Sequence, residues 1–161
     1  ALGENCASSY PKIFAVNLNK PILNGFVPAS PRNLTMLNAD DTVIVDKVIE
    51  KAVLSPSENV HALLLDVEGS VFSLFSNSKG QLGIGSTADS DVPIKINVDD
   101  VIEDICTMES ASILFSKNSN LLYAFGENDR GQLGIGPSTY QDGSSKIFNS
   151  PQRVFSSGAL K

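Results

Sequence analysis

The chain of 161 residues has no tryptophan, one histidine, two cysteines a hundred residues apart and no Gly-Gly pair. Each scarcity removes a class of function. With His61 alone, neither a multi-histidine metal centre nor a conventional serine or cysteine hydrolase can be assembled, and His61 sits in an apolar stretch between Val60 and Ala62. Cys6 and Cys106 lack the close spacing of a zinc site and the density of a disulfide scaffold, so reduced thiols in an intracellular protein are expected. No run approaches the eighteen or so apolar residues of a membrane span, and no basic stretch followed by an apolar run opens the chain. These features imply no membrane, no metal and no cofactor, with a location in cytoplasm or nucleus.

Positive charge is also scarce where it would matter for nucleic acid. The formal net charge is -6. Residues 39–109 hold fourteen acids against four lysines, a net of -10, while each flank carries about +2. Direct nucleic-acid binding is disfavoured, and an electrostatic partner should be a basic protein. The pairs Asp40-Asp41 and Asp99-Asp100 stand ahead of valine-rich strands, where turn formation is the ordinary role of aspartate.

What the sequence does have is a repeat. Gly80-Gln81-Leu82-Gly83-Ile84-Gly85 recurs unchanged as Gly131-Gln132-Leu133-Gly134-Ile135-Gly136, 51 residues later. At the same offset Val71-Phe72-Ser73-Leu74-Phe75 aligns with Leu122-Tyr123-Ala124-Phe125-Gly126, Asn77 with Asn128 and Lys79 with Arg130. A worn copy begins at Ile13-Phe14-Ala15-Val16-Asn17, with Lys20-Pro21-Ile22-Leu23-Asn24-Gly25 in place of the glycine cluster. Short apolar strands alternate with turns, and no helical period persists. An all-β fold follows, with each hexapeptide a structural corner that sends Leu82 and Leu133 into a core. The hexapeptides imitate phosphate-binding loops, but both lack the lysine and the following helix, so nucleotide binding is rejected.

Asn-x-x-Gly-Gln-Leu-Gly-x-Gly after an aromatic strand resembles the regulator of chromosome condensation repeat family. Asn59-Val60-His61-Ala62-Leu63-Leu64 matches the family's Gly-x-x-His-Ser-x-x-Leu strand in part, and Ala111 stands about where the second histidine would be. Kelch blades use Gly-Gly and WD-type blades Trp-Asp, so neither fits. The resemblance implies a seven-bladed propeller. This chain would then be a partial propeller domain over 1–161, of about three blades: a degenerate blade about 13–70, a repeat 71–121 and a repeat 122–161. Three repeats cannot close such a ring, so a fragment, or a subunit completed by blades from the parent or another chain, is expected.

The function so implied is a non-catalytic protein-binding propeller with no active site of its own. The family resemblance also implies two alternatives, a guanine nucleotide exchange factor for a small GTPase and the substrate-recognition part of a ubiquitin ligase. Candidate partner-binding residues are Lys79, Asp129 and Arg130 beside the corners, the acids Asp99 and Asp100, and Tyr140, Asp142 and Lys146 in the loop 137–150. That loop is seven residues longer than its counterpart, comparing Pro93 with Pro151.

Overall fold

The computed structural model describes residues 47–136 and 146–154 in full, together with strand backbone over 12–17, 20–26, 32–37 and 43–46. The elements are β1 (Lys12–Asn17), β2 (Lys20–Phe26), β3 (Arg32–Leu37), β4 (Val43–Leu54), β5 (His61–Asp66), β6 (Val71–Phe75), β7 (Ser90–Lys95), β8 (Ile102–Thr107), β9 (Ala111–Ser116), β10 (Leu122–Glu127) and β11 (Ile147–Val154). Every one is a strand, as the pattern of short apolar runs between turns requires.

Strands β4 to β7 pair antiparallel in chain order, and so do β8 to β11. These two four-stranded sheets are the blades. Strand β4 is long because its halves serve different neighbours: Val43 to Ile49 pairs with β3, and Ile49 to Leu54 with β5. Through β3 the first sheet continues to β1 and β2, giving the order β2-β1-β3-β4-β5-β6-β7. The worn copy thus begins on β1, but Lys20 to Gly25 lies within β2 and forms no corner.

The sequence period is out of phase with the sheets. A unit counted from Val71 to Leu121 holds β6 and β7 of one blade followed by β8 and β9 of the next. The registers confirm the equivalence of the blades: His61 faces Phe75 across the ladder as Ala111 faces Gly126, and Phe72 faces Lys95 as Tyr123 faces Arg153. Lys95 to Arg153 is a step of 58, which places the seven-residue insertion before Phe148. Because β11 starts at Ile147, the end of the expected loop is strand.

The two faces of β5 explain its unbroken Ala-Leu-Leu-Leu run. Leu63 and Leu65 join Val53, Val71 and Ile96 against Ile102, Ile105, Leu114, Tyr123 and Phe125 of the second blade. Ala62 and Leu64 point the other way, to Ile49, Phe72 and Leu74. A strand buried on both faces has no polar side to alternate with. Each such leucine contributes about 2 kcal/mol by burial.

Cys106 on β8 is disulfide-bonded, and Cys6 is the chain's only other cysteine. The expectation of reduced thiols therefore fails.

Candidate functional site

The antiparallel course of the strands sorts the loops into two ends. Segments 55–60, 76–89, 108–110 and 128–136 share one end, and 67–70, 96–101 and 117–121 share the other. The first, here the corner end, carries both glycine hexapeptides.

Each corner is organised by a buried asparagine. Asn77 Oδ1 accepts from the Leu82 amide at 2.9 Å, while its Nδ2 donates to the carbonyls of Ser86 and Ala88 at 2.9 and 2.8 Å. Asn128 Oδ1 accepts from the Leu133 amide at 3.0 Å in the same way. The glutamines repeat a second contact, with Gln81 Oε1 taking the Lys79 amide and Gln132 Oε1 the Arg130 amide, both at 2.8 Å. Leu82 and Leu133 are buried, as expected. Amide side chains satisfy the turn's backbone groups that no ladder can reach. The corner is therefore framework: its polar groups are spent on itself.

The two corners nevertheless meet different surroundings. The first packs on the second blade. A Cβ on Gly83, whose φ is +65°, would lie 2.7 Å from the Phe125 ring, and the Gly85 amide donates to the Asn149 carbonyl at 2.7 Å. Gly134 has the same conformation, φ +66°, but its nearest such neighbour is Val154 at 3.6 Å. Gln81 is 1% exposed, while Gln132 is open to solvent.

Between the blades runs a buried polar chain. His61 Nε2 lies 2.9 Å from Ser112 Oγ, and Ser112 Oγ donates to the Gln81 carbonyl at 2.8 Å. With the serine hydrogen committed, the imidazole is the donor, its proton on Nε2. Burial pushes the His61 pKa down to about 4, against an opposing pull from the Ala111 carbonyl. Its hydroxyl partner lies on the neighbouring blade, 51 residues away. Both groups are fully buried, so this Ser-His contact joins blades and meets no substrate.

Of the expected binding residues, Lys79, Asp129 and Arg130 stand together at the corner end. Lys79 Nζ reaches Glu127 Oε1 of the second blade at 2.5 Å, a hydrogen bond and ion pair that raise its pKa. Arg130, the equivalent of Lys79, is exposed and forms no ion pair with the described residues. Asp129 Oδ1 accepts from Gln132 Nε2 at 3.1 Å. The Lys146 carbonyl accepts from the Asn128 amide at 2.9 Å, which places Lys146 at the same end. Tyr140 and Asp142 lie outside the described residues.

Asp99 and Asp100 are at the opposite end. Asp100 Oδ2 takes the Ser119 hydroxyl at 2.5 Å and, more distantly, that of Tyr123 at 3.4 Å, while Oδ1 takes the Val101 amide at 3.0 Å. The Ser119 bond leads the causes that lower its pKa. Asp100 organises its loop; Asp99 is exposed.

Residues 119–160 match the family model described as the regulator of chromosome condensation (RCC1) repeat. That stretch carries a repeat of this type. The chain is 38% identical over 91 residues to the Protein RCC2 homolog of Xenopus laevis, covering 55% of this chain and 18% of that protein. To Protein RCC2 of Homo sapiens it is 36% identical over 92 residues, covering 55% and 17%. The chain thus spans under a fifth of the length of these relatives. Among solved structures, human WBSCR16 superposes with a TM-score of 0.59 at 20% identity, covering 73% of this chain and 28% of that one. Prp20p from Saccharomyces cerevisiae, in a structure described with its binding to Gsp1p and histones, gives 0.57 at 18% identity, covering 69% and 26%. At these identities the likeness establishes the fold, a partial β-propeller. Among the described residues no helix is long and apolar enough to cross a membrane.

Proposed function

We propose that the chain works by binding a protein partner at the corner end of its blades, without chemistry of its own. The observation that carries this reading is a division of labour. Asn77, Gln81, Asn128 and Gln132 hold the corner backbone, whereas Arg130 and Asp129 stand on that rigid base at the same end as Lys79 and Lys146. Loops carried on a stiff scaffold are where recognition concentrates. The acidic end at Asp99 and Asp100 is a second surface, suited to a basic partner.

A narrower form is nucleotide exchange on a small GTPase, in which the propeller would act by stabilising the nucleotide-free partner. The repeat match supports it, as does the description of Prp20p with Gsp1p. A nuclear or cytoplasmic location accords with this repeat type.

The test is binding of the purified chain to two immobilised probes, core histones and a panel of nucleotide-free small GTPases, with nucleotide release followed for the latter. Charge reversal at Lys79 and Arg130 should abolish capture of a GTPase. Asp99→Asn with Asp100→Asn should weaken only histone capture, and that capture should fade at high salt. Binding that ignores both pairs of substitutions refutes the assignment of these ends.

A further inference from the structure

Two hydroxyls among the described residues stand three positions ahead of a carboxylate, Ser55 before Glu58 and Ser86 before Asp89. Their surroundings differ. Ser55 is 3% exposed and takes the His61 amide at 2.9 Å, which seals it inside the folded chain. Ser86 lies in the loop that runs from the first corner to β7, with Gly85, Thr87, Ala88 and Asp89 exposed around it and Asp91 exposed beyond. Its Oγ accepts a long bond from the Ala88 amide, 3.4 Å, whereas the hydroxyls of Ser73, Ser90 and Ser112 are donated to backbone carbonyls at 2.7, 2.7 and 2.8 Å. The Ser86 hydroxyl is not committed to the fold.

We propose that Ser86 is a phosphorylation site for an acid-directed serine/threonine kinase, and that the modification unlocks the first corner. Such an enzyme selects its acceptor by binding the carboxylates that follow it with basic side chains of its own, and Asp89 and Asp91 supply them. Ser86 Oγ attacks the γ-phosphorus of magnesium-bound ATP, the bond from that phosphorus to the β,γ-bridging oxygen breaks, ADP leaves, and the hydroxyl proton passes to the kinase's catalytic carboxylate. The product carries a charge of about -1.5 to -2 at neutral pH.

The acceptor sits on the corner's own fastening. Asn77 Nδ2 donates to the carbonyls of Ser86 and Ala88, and the Asn77 amide donates to Asp89 Oδ1 at 2.7 Å. A phosphate on Ser86 repels the Asp89 carboxylate and draws the loop off Asn77. Asn77 also ties Leu82, and the turn beyond it presses Gly83 on Phe125 and gives the Gly85 amide to the Asn149 carbonyl. Charge added at one serine thus reaches the junction between the blades. The second copy has Pro137 at this place, so of the two corners only the first carries this acceptor.

The experiment incubates the folded full chain with an acid-directed kinase and magnesium ATP and locates the phosphate by peptide mass spectrometry. It should appear on Ser86. Asp89→Asn should slow its incorporation there by about tenfold or more, the loss of one charge-assisted contact, and Asp89→Glu should restore the rate. In the phosphorylated chain the Leu82 and Gly85 amides should exchange for deuterium about tenfold faster than before, while the Leu64 amide in the first blade's ladder keeps its rate. Kinase-treated Ser86→Ala should show no such acceleration. No phosphate on Ser86 in the folded chain, modification of Thr87 or Ser90 in its place, or a rate indifferent to Asp89→Asn overturns the site. Unchanged exchange at Leu82 and Gly85 overturns the unlocking. Both readouts are taken on the chain alone, so they are decided whatever partner the corner end binds.

Discussion

Acidification should loosen the junction between the blades at a pH where carboxylates are still charged. His61 is fully buried and its pKa is held at about 4, against an ordinary 6.5. The folded chain keeps the ring neutral as pH falls, while the unfolded chain takes up a proton near 6.5. Stability is therefore complete above about pH 7 and is lost as pH falls from about 6.5 towards 4. At about 1.4 kcal/mol per pH unit, the loss approaches about 3 kcal/mol at the bottom of that window. The lowered carboxylates, Glu68 and Asp100, lose their contributions only below their ordinary values of 4.5 and 3.8, so the upper part of the window belongs to the histidine. Urea unfolding at pH 7.5, 6.0, 5.0 and 4.5 measures this directly. His61→Leu and His61→Asn should start lower, by about 1–3 kcal/mol for the disturbed hydrogen bond to Ser112, and then stay nearly flat to pH 5. If the native chain loses no more between pH 7 and 5 than these variants do, burial does not control this imidazole and the reasoning fails.

Three further substitutions probe the corners. Gly134→Ala should cost about 1 kcal/mol for the left-handed backbone alone, whereas Gly83→Ala adds a clash with Phe125 and should cost about 1–3 kcal/mol more; equal losses in urea unfolding would refute the packing contrast. Asn77→Asp keeps the acceptor for Leu82 but sets a second oxygen against the carbonyls of Ser86 and Ala88, so it should destabilise more than Asn77→Ala does, and the excess should shrink as the acid protonates near pH 4. Lys79→Met should cost no more than about 1 kcal/mol, since its ammonium end is well exposed, and the native value should fall towards the variant's in high salt.

The fold class was legible because the corner is a local object. Positive φ at the glycines, the amide that ties the loop and the aromatic strand before it lie within about fifteen residues, so composition and order reveal them without any tertiary information. The buried asparagines were visible as aligned positions, Asn77 and Asn128, but not as hubs. Alignment at the repeat offset, together with an amide's ability to donate and accept at once, was the available signal. Phase was hidden for the opposite reason: Leu63 and Leu64 are equally apolar, and only the sheets show that they face different neighbours. The His61 bond to Ser112 was out of reach for the same cause, because the two residues are 51 apart in the chain.

The two hexapeptides mark the limit most sharply. Their sequence is the same and they share the asparagine and glutamine contacts to the turn backbone, yet Gln81 is sealed and Gln132 is open, and Gly83 is pressed on an aromatic ring where Gly134 is not. Local sequence decides how the chain turns at a corner, and the neighbouring sheet decides whether that corner is an interior or a surface. A repeat therefore reveals an architecture and, by the same token, conceals which copy is available for binding. Only a difference between otherwise identical copies separates them, here the ion pair that Lys79 makes and that Arg130 does not make with any described residue.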